Sequence, residues 1–427
     1  MERLGKYELR GVLGRGASST VYLAHDPFAR RDVAIKVATP EILKHPEQGR
    51  IYSHLFINEA SLAGKLNHPH IVQIYDAVVE ENLAYIVMEF VGGGTLATYC
   101  TPETLQPLER VVEMVFKCTR ALNFAVQLGI THRDIKPANI LLADKDSGDI
   151  KVSDFGAAIT GETDRTVVSG IGSPAYMSPQ QVREEPLDQR TDIYSLGVVM
   201  YQLLTGQLPY QASSQYNMIY QIIHAQPTPP SHLRPNLPQR LEEIVLRAMA
   251  KDLAHRYANW EEFAHDLATA FRETHARPAE QHAFADSEKF STLRTLPFFM
   301  AFSDAELWEV LRFSGWERVR SGQQILRDGE RGDTFYFLAE GSLKVSKHNR
   351  TLNLLRPGDC FGEMAIISHG AHLRGADVVA MVDSKVISIG EQALHSASET
   401  CRMHFYQAFL DVLGGRLALA NARLAAL

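Results

Sequence analysis

Residues 131–142 read THRDIKPANILL. An acid at Asp134, a cation two positions on at Lys136 and an amide at Asn139 stand between an apolar approach and an apolar exit. Side chains so spaced are chemistry held out by a short rigid loop. Phosphoryl transfer requires an acid that accepts a hydroxyl proton, a cation that steadies the moving phosphoryl group and an amide that ligates a metal. A plain polar loop between two strands could contain the same tripeptide, so the remaining parts have to be found elsewhere in the chain.

The chain has 427 residues, more than one hydrophobic core usually organises, and two or three domains are expected. Its net charge of −7 provides no basic field and argues against nucleic acid as a primary partner. Cys100, Cys118, Cys360 and Cys401 have no paired metal-ligand or redox spacing, so reduced and mostly buried thiols are expected. No apolar run is long enough to span a bilayer, and MERLGKYELR at the N-terminus lacks a signal-peptide segment. A cytoplasmic protein without a membrane span is the expectation.

From Tyr7 to Val37 the residues alternate between glycines and short turns, which predicts three antiparallel strands, near Tyr7 to Leu13, Thr20 to His25 and Asp32 to Val37. LGRGASSTV, residues 13–21, joins the first two. Gly14 and Gly16 let backbone amides approach phosphates closely, although a tight hairpin turn would explain them as well. In the third strand Ala34 and Lys36 face the same side, so a small residue floors a flat base while an ammonium reaches phosphate oxygens. A buried lysine needs a partner. Glu59, in the helical run HLFINEASLAGKL, is the candidate, a solvated carboxylate being the alternative. Residues 68–96 then predict two buried strands with a turn at Glu80 to Asn82. Met88, Glu89, Phe90 and Val91 follow as a hinge before the cluster Gly92 to Gly94.

With the glycine loop, AIK, the helix glutamate, HRDIKPAN, DFG at Asp154 to Gly156 and DIYSLG at Asp192 to Gly197 in order, the chain from about residue 7 to 271 resembles a eukaryotic-type protein kinase domain of the soluble bacterial serine/threonine kind. The resemblance implies an α+β, bilobal kinase fold, a sheet-rich N-lobe and a helical C-lobe with ATP and Mg2+ between them. It implies that Asp134 accepts the substrate hydroxyl's proton, that Lys136 neutralises the γ-phosphate and that Asn139 and Asp154 hold the metal. Lys36, fixed by Glu59, would position the α- and β-phosphates. Leu13, Gly14, Gly16 and Ser19 would cover the nucleotide, Val21, Ala34 and Leu141 would sandwich the adenine, and Met88, Glu89 and Val91 would border it at the hinge. Lys136 and GSPAYMSP, with Ser173 where such kinases usually place threonine, imply protein Ser/Thr substrates. Arg133 would receive a regulatory phosphate from the segment between Asp154 and Pro179, where Thr160, Thr163, Thr166 and Ser169 are candidates and Thr166 and Ser169 are preferred. Where the family reads Ala, Pro, Glu, this chain reads Ser178, Pro179, Gln180, so Arg256 in KDLAHRY meets a neutral partner and a looser C-lobe is expected.

Residues 272–290 are polar with little apolar periodicity and read as a linker. Beyond them, residues 291–427 show a helical entry, FSDAELWEVLRFSG, then short strands punctuated by glycine at Gly322, Gly329, Gly332, Gly341, Gly358 and Gly362, the pattern of a β-barrel or jelly roll. This region resembles the cyclic-nucleotide-binding domain of catabolite activators and of kinase regulatory subunits. The resemblance implies that Glu363 accepts from a ribose 2′-hydroxyl, that Arg374 pairs with the cyclic phosphate and that amides near Gly362 to Ala365 add positive potential. Gly375 stands where the family commonly has Ala, Ser or Thr. Cyclic AMP or cyclic GMP as effector, a ligand-free interaction or dimerisation barrel, and a pseudokinase scaffold are the readings left open. Residues 399–427 predict a helix that covers the ligand, forms a dimer or packs on its own barrel.

Overall fold

The structure is a computed structural model that describes residues 3–16, 19–39, 56–62, 64–79, 83–144, 148–155, 159–160, 174–274, 286–348, 350–363 and 373–425. The chain divides into two compact units, Met1–Glu280 and Gln281–Leu427.

The first unit begins with an antiparallel sheet of six strands: β1 (Arg3–Leu4), β2 (Tyr7–Arg15), β3 (Ser19–Asp26), β4 (Arg31–Ala38), β5 (Ile74–Val79) and β6 (Ala84–Glu89), in the order β1-β2-β3-β4-β6-β5. Alternation decides its two faces. Val33, Ile35, Tyr85 and Val87 pack on one side with Tyr7 and Ala24. Ala38, Ala84 and Ile86 face the other, where Phe56 of the helical segment 56–61 covers them. Lys36, in step with Ala38, therefore points toward that segment.

The larger part of this unit is helical: α1 (Leu108–Gln127), α2 (Arg190–Thr205), α3 (Gln215–His224), α4 (Gln239–Ala248) and α5 (Trp260–Thr274). Nearly every residue of α2 is buried, which suits its almost uniformly apolar sequence. Gly206 ends α2 in the left-handed conformation with φ 74°, and a Cβ there would lie 2.4 Å from the Pro102 nitrogen. Arg120 on α1 holds Glu261 on α5 through a fork of two bonds, 2.8 and 2.9 Å. Two short antiparallel pairs flank residues 132–139: β7 (Ile130–Thr131) with β10 (Ile159–Thr160), and β8 (Ile140–Leu142) with β9 (Ile150–Val152).

Two four-stranded sheets build the second unit. β11 (Gly315–Val319), β18 (Ser384–Gly390), β13 (Thr334–Glu340) and β16 (Cys360–Phe361) form one, and β12 (Gln324–Leu326), β17 (Asp377–Ala380), β14 (Leu343–Lys347) and β15 (Arg350–Leu355) the other. Val319, Leu338, Phe361 and Val386 from the first sheet share one core with Leu326, Leu343, Leu355 and Val378 from the second, as a jelly roll requires. Among the described residues three longer helices and a short one at Glu391–His395 complete it: α6 (Asp286–Thr295), α7 (Asp304–Phe313), which Ser303 and Glu306 start with a capping box, and α8 (Glu399–Ala425). Phe405 and Phe409 of α8 sit among Phe298, Phe335 and Phe337, with Phe335 and Phe409 centroids 5.1 Å apart.

The boundary between the two units, after Glu280, falls within 272–290. Residues 272–274 continue α5 and residues 286–290 begin α6, where Phe290 is buried against Trp308, ring centroids 5.0 Å apart.

Arg256 is nearly inaccessible and does meet the neutral Gln180, whose Oε1 accepts at 3.1 Å. Carbonyls of Ala250 at 2.7 Å and Arg190 at 2.9 Å also accept from the guanidinium, and burial pulls its pKa down to about 10. A Gln180→Glu carboxylate adds a charge-assisted bond of about 1.5–3 kcal/mol but gives up the 3.1 Å donation from Gln180 Nε2 to the Lys251 carbonyl, a bond worth about 1 kcal/mol. We expect a net stabilisation of about 1 kcal/mol, read as a higher urea midpoint; an unchanged or lower midpoint would show that the neutral contact is not the looser one.

Candidate active site and nucleotide cavity

β4 presents Lys36 between Val21 on β3 and Ile86 on β6. Its ammonium donates to Glu59 Oε2 at 2.7 Å and to Asp154 Oδ1 at 2.8 Å, so one cation joins the sheet, the 56–61 helical segment and the loop after β9. Burial pulls the Lys36 pKa down, yet Glu59 and Asp154 outweigh it and the group ends well above its ordinary value. For Asp154, burial opposes ionisation and Lys36 wins, which keeps the carboxyl below its usual range. Both therefore carry charge at neutral pH.

The loop 132–139 is held from below. Asp192, in the first turn of α2 and 1% exposed, accepts from the His132 amide through Oδ2 and from the Arg133 amide through Oδ1, both at 2.7 Å. Those bonds fix Arg133 in a left-handed conformation, φ 69°, and turn the chain sharply before Asp134. Gln181 adds a 2.9 Å bond from Nε2 to the Arg133 carbonyl. His132 reaches the Ser153 carbonyl at 3.0 Å and lies 4.5 Å from the Phe155 ring, tying this loop to the one that carries Asp154.

Asp134 Oδ2 accepts from Lys136 Nζ at 2.6 Å and from Asn139 Nδ2 at 3.1 Å, and Asn139 Nδ2 also donates to the Asp134 carbonyl at 2.9 Å. With its amide nitrogen committed to Asp134, Asn139 has Oδ1 left as the acceptor end of its side chain. Asp154 likewise has Oδ2 beside the oxygen that Lys36 occupies. Oxygen donors this few suit Mg2+, which completes its octahedron with phosphate oxygens and water rather than with an all-protein cage. The described residues contain no cluster of three or more His, Cys, Asp or Glu placed to hold a metal.

Around this centre, Ala34 is buried opposite Met88, Val21 pairs with Gly14, Leu13 is half exposed on β2 and Leu141 bridges to Thr95. Ser19 starts β3 and is buried opposite Ala38, and Gly16 N donates to the Ser19 carbonyl at 2.8 Å. At the hinge Glu89 turns its carboxylate to Lys151, 3.0 Å away, and Val91 leads into the glycine cluster. Gly93 has a reason the sequence did not reveal: its amide bonds the Leu142 carbonyl at 3.0 Å, and a Cβ would lie 2.4 Å from that oxygen. Of the phosphate-acceptor candidates, Thr160 has its backbone in β10, and Thr163, Thr166 and Ser169 lie outside the described residues, as do Ser173 and the turn at 80–82.

The second unit holds a cavity of about 300 Å³ lined by Leu326, Phe361, Gly362, Glu363, Arg374 and, from α8, Arg416. Glu363 and Arg374 are 2% and 6% exposed. Arg374 Nη1 donates to the Gly362 carbonyl at 2.9 Å, and Gly332 makes room for it, since a Cβ there would lie 2.3 Å from Arg374 Nη2. Glu363 pairs with Arg416, a residue the sequence reading did not single out. Gly375 has open space where a side chain would stand, and Met364 and Ala365 lie outside the described residues.

The family model described as protein kinase domain matches residues 7–268. The chain belongs to the protein kinase family. A second model, the cyclic nucleotide-binding domain, matches residues 316–401. Among curated proteins, this kinase-family chain is 37% identical over 324 residues to serine/threonine-protein kinase PknB of Mycolicibacterium smegmatis, an alignment covering 74% of this chain and 51% of that protein. It is 38% identical over 270 residues to serine/threonine-protein kinase PrkC of Bacillus subtilis, covering 62% of this chain and 41% of that one. The chain thus spans about half or less of the length of these relatives. No helix among the described residues is long and apolar enough to cross a membrane.

For the kinase-family unit, Asp192 makes a direct test. Asp192→Asn has one acceptor oxygen and turns an NH2 toward an amide that needs an acceptor, a loss of about 1–3 kcal/mol in holding the loop. We expect phosphate transfer to fall roughly 10- to 100-fold in kcat with the KM for ATP little changed, measured by radiolabel incorporation. An unaltered kcat would mean that the loop does not depend on this carboxylate.

Proposed function

We propose that the first unit is an ATP-dependent serine/threonine protein kinase and that the second binds a cyclic nucleotide that sets its activity. The observation that carries the first half is Lys36 joined to both Glu59 and Asp154 beside an assembled Asp134–Lys136–Asn139 cluster. A nucleotide-binding scaffold without transfer would not need the second cluster.

In this reading Lys36 orients the α- and β-phosphates, and Asp134 accepts the proton of a serine or threonine hydroxyl aligned for in-line attack. Lys136, 2.6 Å from Asp134, neutralises the γ-phosphoryl group as its bond to the departing ADP oxygen breaks and its bond to the acceptor oxygen forms. Asn139 and Asp154 would hold Mg2+, which would supply charge neutralisation at the phosphates. Ser/Thr choice is supported by Lys136 and by the names of the relatives. Arg133 receives a phosphate from Thr166 or Ser169 and so orders the substrate side of the site. In the second unit, Glu363 takes the ribose 2′-hydroxyl and Arg374 the cyclic phosphate; the match to the cyclic nucleotide-binding family and the paired burial of these two charges support the assignment.

The deciding experiment is phosphate incorporation into a generic protein substrate by the full chain, with and without cyclic AMP and cyclic GMP. Transfer is expected to drop at least 10³-fold in Asp134→Asn, the removal of its base, and to change severalfold with one of the two nucleotides. Persistence of transfer in Asp134→Asn would assign it to a contaminant, and indifference to both nucleotides would leave a kinase whose second unit is structural.

A further inference from the structure

We infer that Gln181 is a positioning residue for phosphoryl transfer: its side-chain amide fixes the peptide unit from which Asp134 projects. The inference rests on the kinase reading above, in which Asp134 takes the hydroxyl proton, and adds a residue that reading does not use.

Gln181 lies in the short helix Pro179–Val182 and is 5% exposed, so its amide has to find its partners within the protein. Both ends do. Oε1 accepts from the Ser178 amide at 2.9 Å, while Nε2 donates at 2.9 Å to the carbonyl of Arg133, 48 positions away in sequence. The Gln181 backbone amide returns a bond to Ser178 Oγ at 3.2 Å, and that hydroxyl lies 3.4 Å from Thr191 Oγ1 on α2. A capping box therefore steadies the side chain before it reaches the loop.

The carbonyl it reaches belongs to the peptide that joins Arg133 to Asp134. At its other edge the same peptide donates from the Asp134 amide to His132 Nδ1 at 3.2 Å. One peptide plane is thus held from both sides, and its tilt sets where the Asp134 side chain starts. Asp192 does not control that tilt. It grips the amides of His132 and Arg133, on the near side of the Arg133 α-carbon, and leaves rotation about the Arg133 Cα–C bond to other contacts. With Arg133 in the left-handed region, φ 69°, a rotation there would relax the backbone and swing the acid away from its place. The bond from Gln181 blocks it.

The residue type follows from the two partners. One side chain must donate to a carbonyl and accept from an amide, inside the protein and without adding a charge. A carboxylate lacks the donor and an ammonium or guanidinium lacks the acceptor, whereas an amide supplies both.

The test uses the full chain as wild type, Gln181→Glu and Gln181→Met, with radiolabel transfer to a generic protein substrate, ATP affinity by calorimetry and the urea midpoint. Gln181→Glu keeps the acceptor for Ser178 and removes only the donor to Arg133. At alkaline pH its kcat is expected to fall roughly 10- to 50-fold, with ATP affinity and urea midpoint little changed. On acidification from about pH 8.5 to about 5.5 the new carboxyl, its pKa raised by burial, takes up a proton and donates to the carbonyl again, so the ratio of variant to wild-type kcat climbs severalfold. His132, Arg133, Asp134 and Asp192 are common to both proteins and cancel in that ratio. Gln181→Met fills a similar volume with neither donor nor acceptor, and is expected to lose as much kcat at every pH. A ratio for Gln181→Glu that is flat in pH overturns the inference, as does a lower urea midpoint with the kcat of the folded enzyme intact. Should one variant not fold, the other decides by the same kcat and ATP-affinity readings. Wild type without transfer removes the kinase reading and this role with it; an active wild type with variants at full kcat removes this role alone.

Discussion

One ammonium, that of Lys36, is the constraint on which the first unit's chemistry depends. An unpaired cation so placed would be costly, and two carboxylates from elements far apart in sequence remove that cost only when the sheet, the 56–61 segment and the loop after β9 are all in position. The ion pairs are thus a condition on geometry more than a source of stability. Shifting β4 by one residue would turn Lys36 to the other face, toward Val33 and Ile35, and leave Glu59 buried without a counter-charge.

The second support is Asp192, whose role differs in kind. It touches no reacting group, yet its two oxygens take the amides of His132 and Arg133 and so decide where Asp134 stands. Burial pushes the Asp192 carboxyl up, and the two amides and nearby cationic groups pull against that shift. A strained backbone at Arg133 persists because these bonds over-determine it.

Much of this was legible beforehand because kinase chemistry is written in contiguous residues. Strand alternation around Ala34 and Lys36 predicted β3 and β4 to within a residue or two. What the sequence concealed were contacts between distant segments. Asp192 lay within a quoted motif with no sign of which amides it served, and Gly93 read as hinge flexibility when it is a steric allowance for Leu142. Arg416 looked like one polar residue in a helical tail; its partner is 53 positions away and no local pattern connects them. Phe290 was hidden for a related reason, as a single apolar residue whose importance depends on Trp308 being opposite.

The acceptors around Arg256 carry a consequence for the medium in which the protein works. Pairs of opposite formal charge weaken as dissolved ions accumulate around them, with a screening length of about 8 Å at physiological ionic strength. Here the guanidinium is gripped by carbonyl dipoles and an amide, deep inside and without a carboxylate among those bonds. Dipoles at contact range attract no counterion cloud. The junction of α2 with the Ser178–Gln181 segment therefore holds with much the same strength in dilute buffer and at high ionic strength, since contacts this deeply buried are little screened.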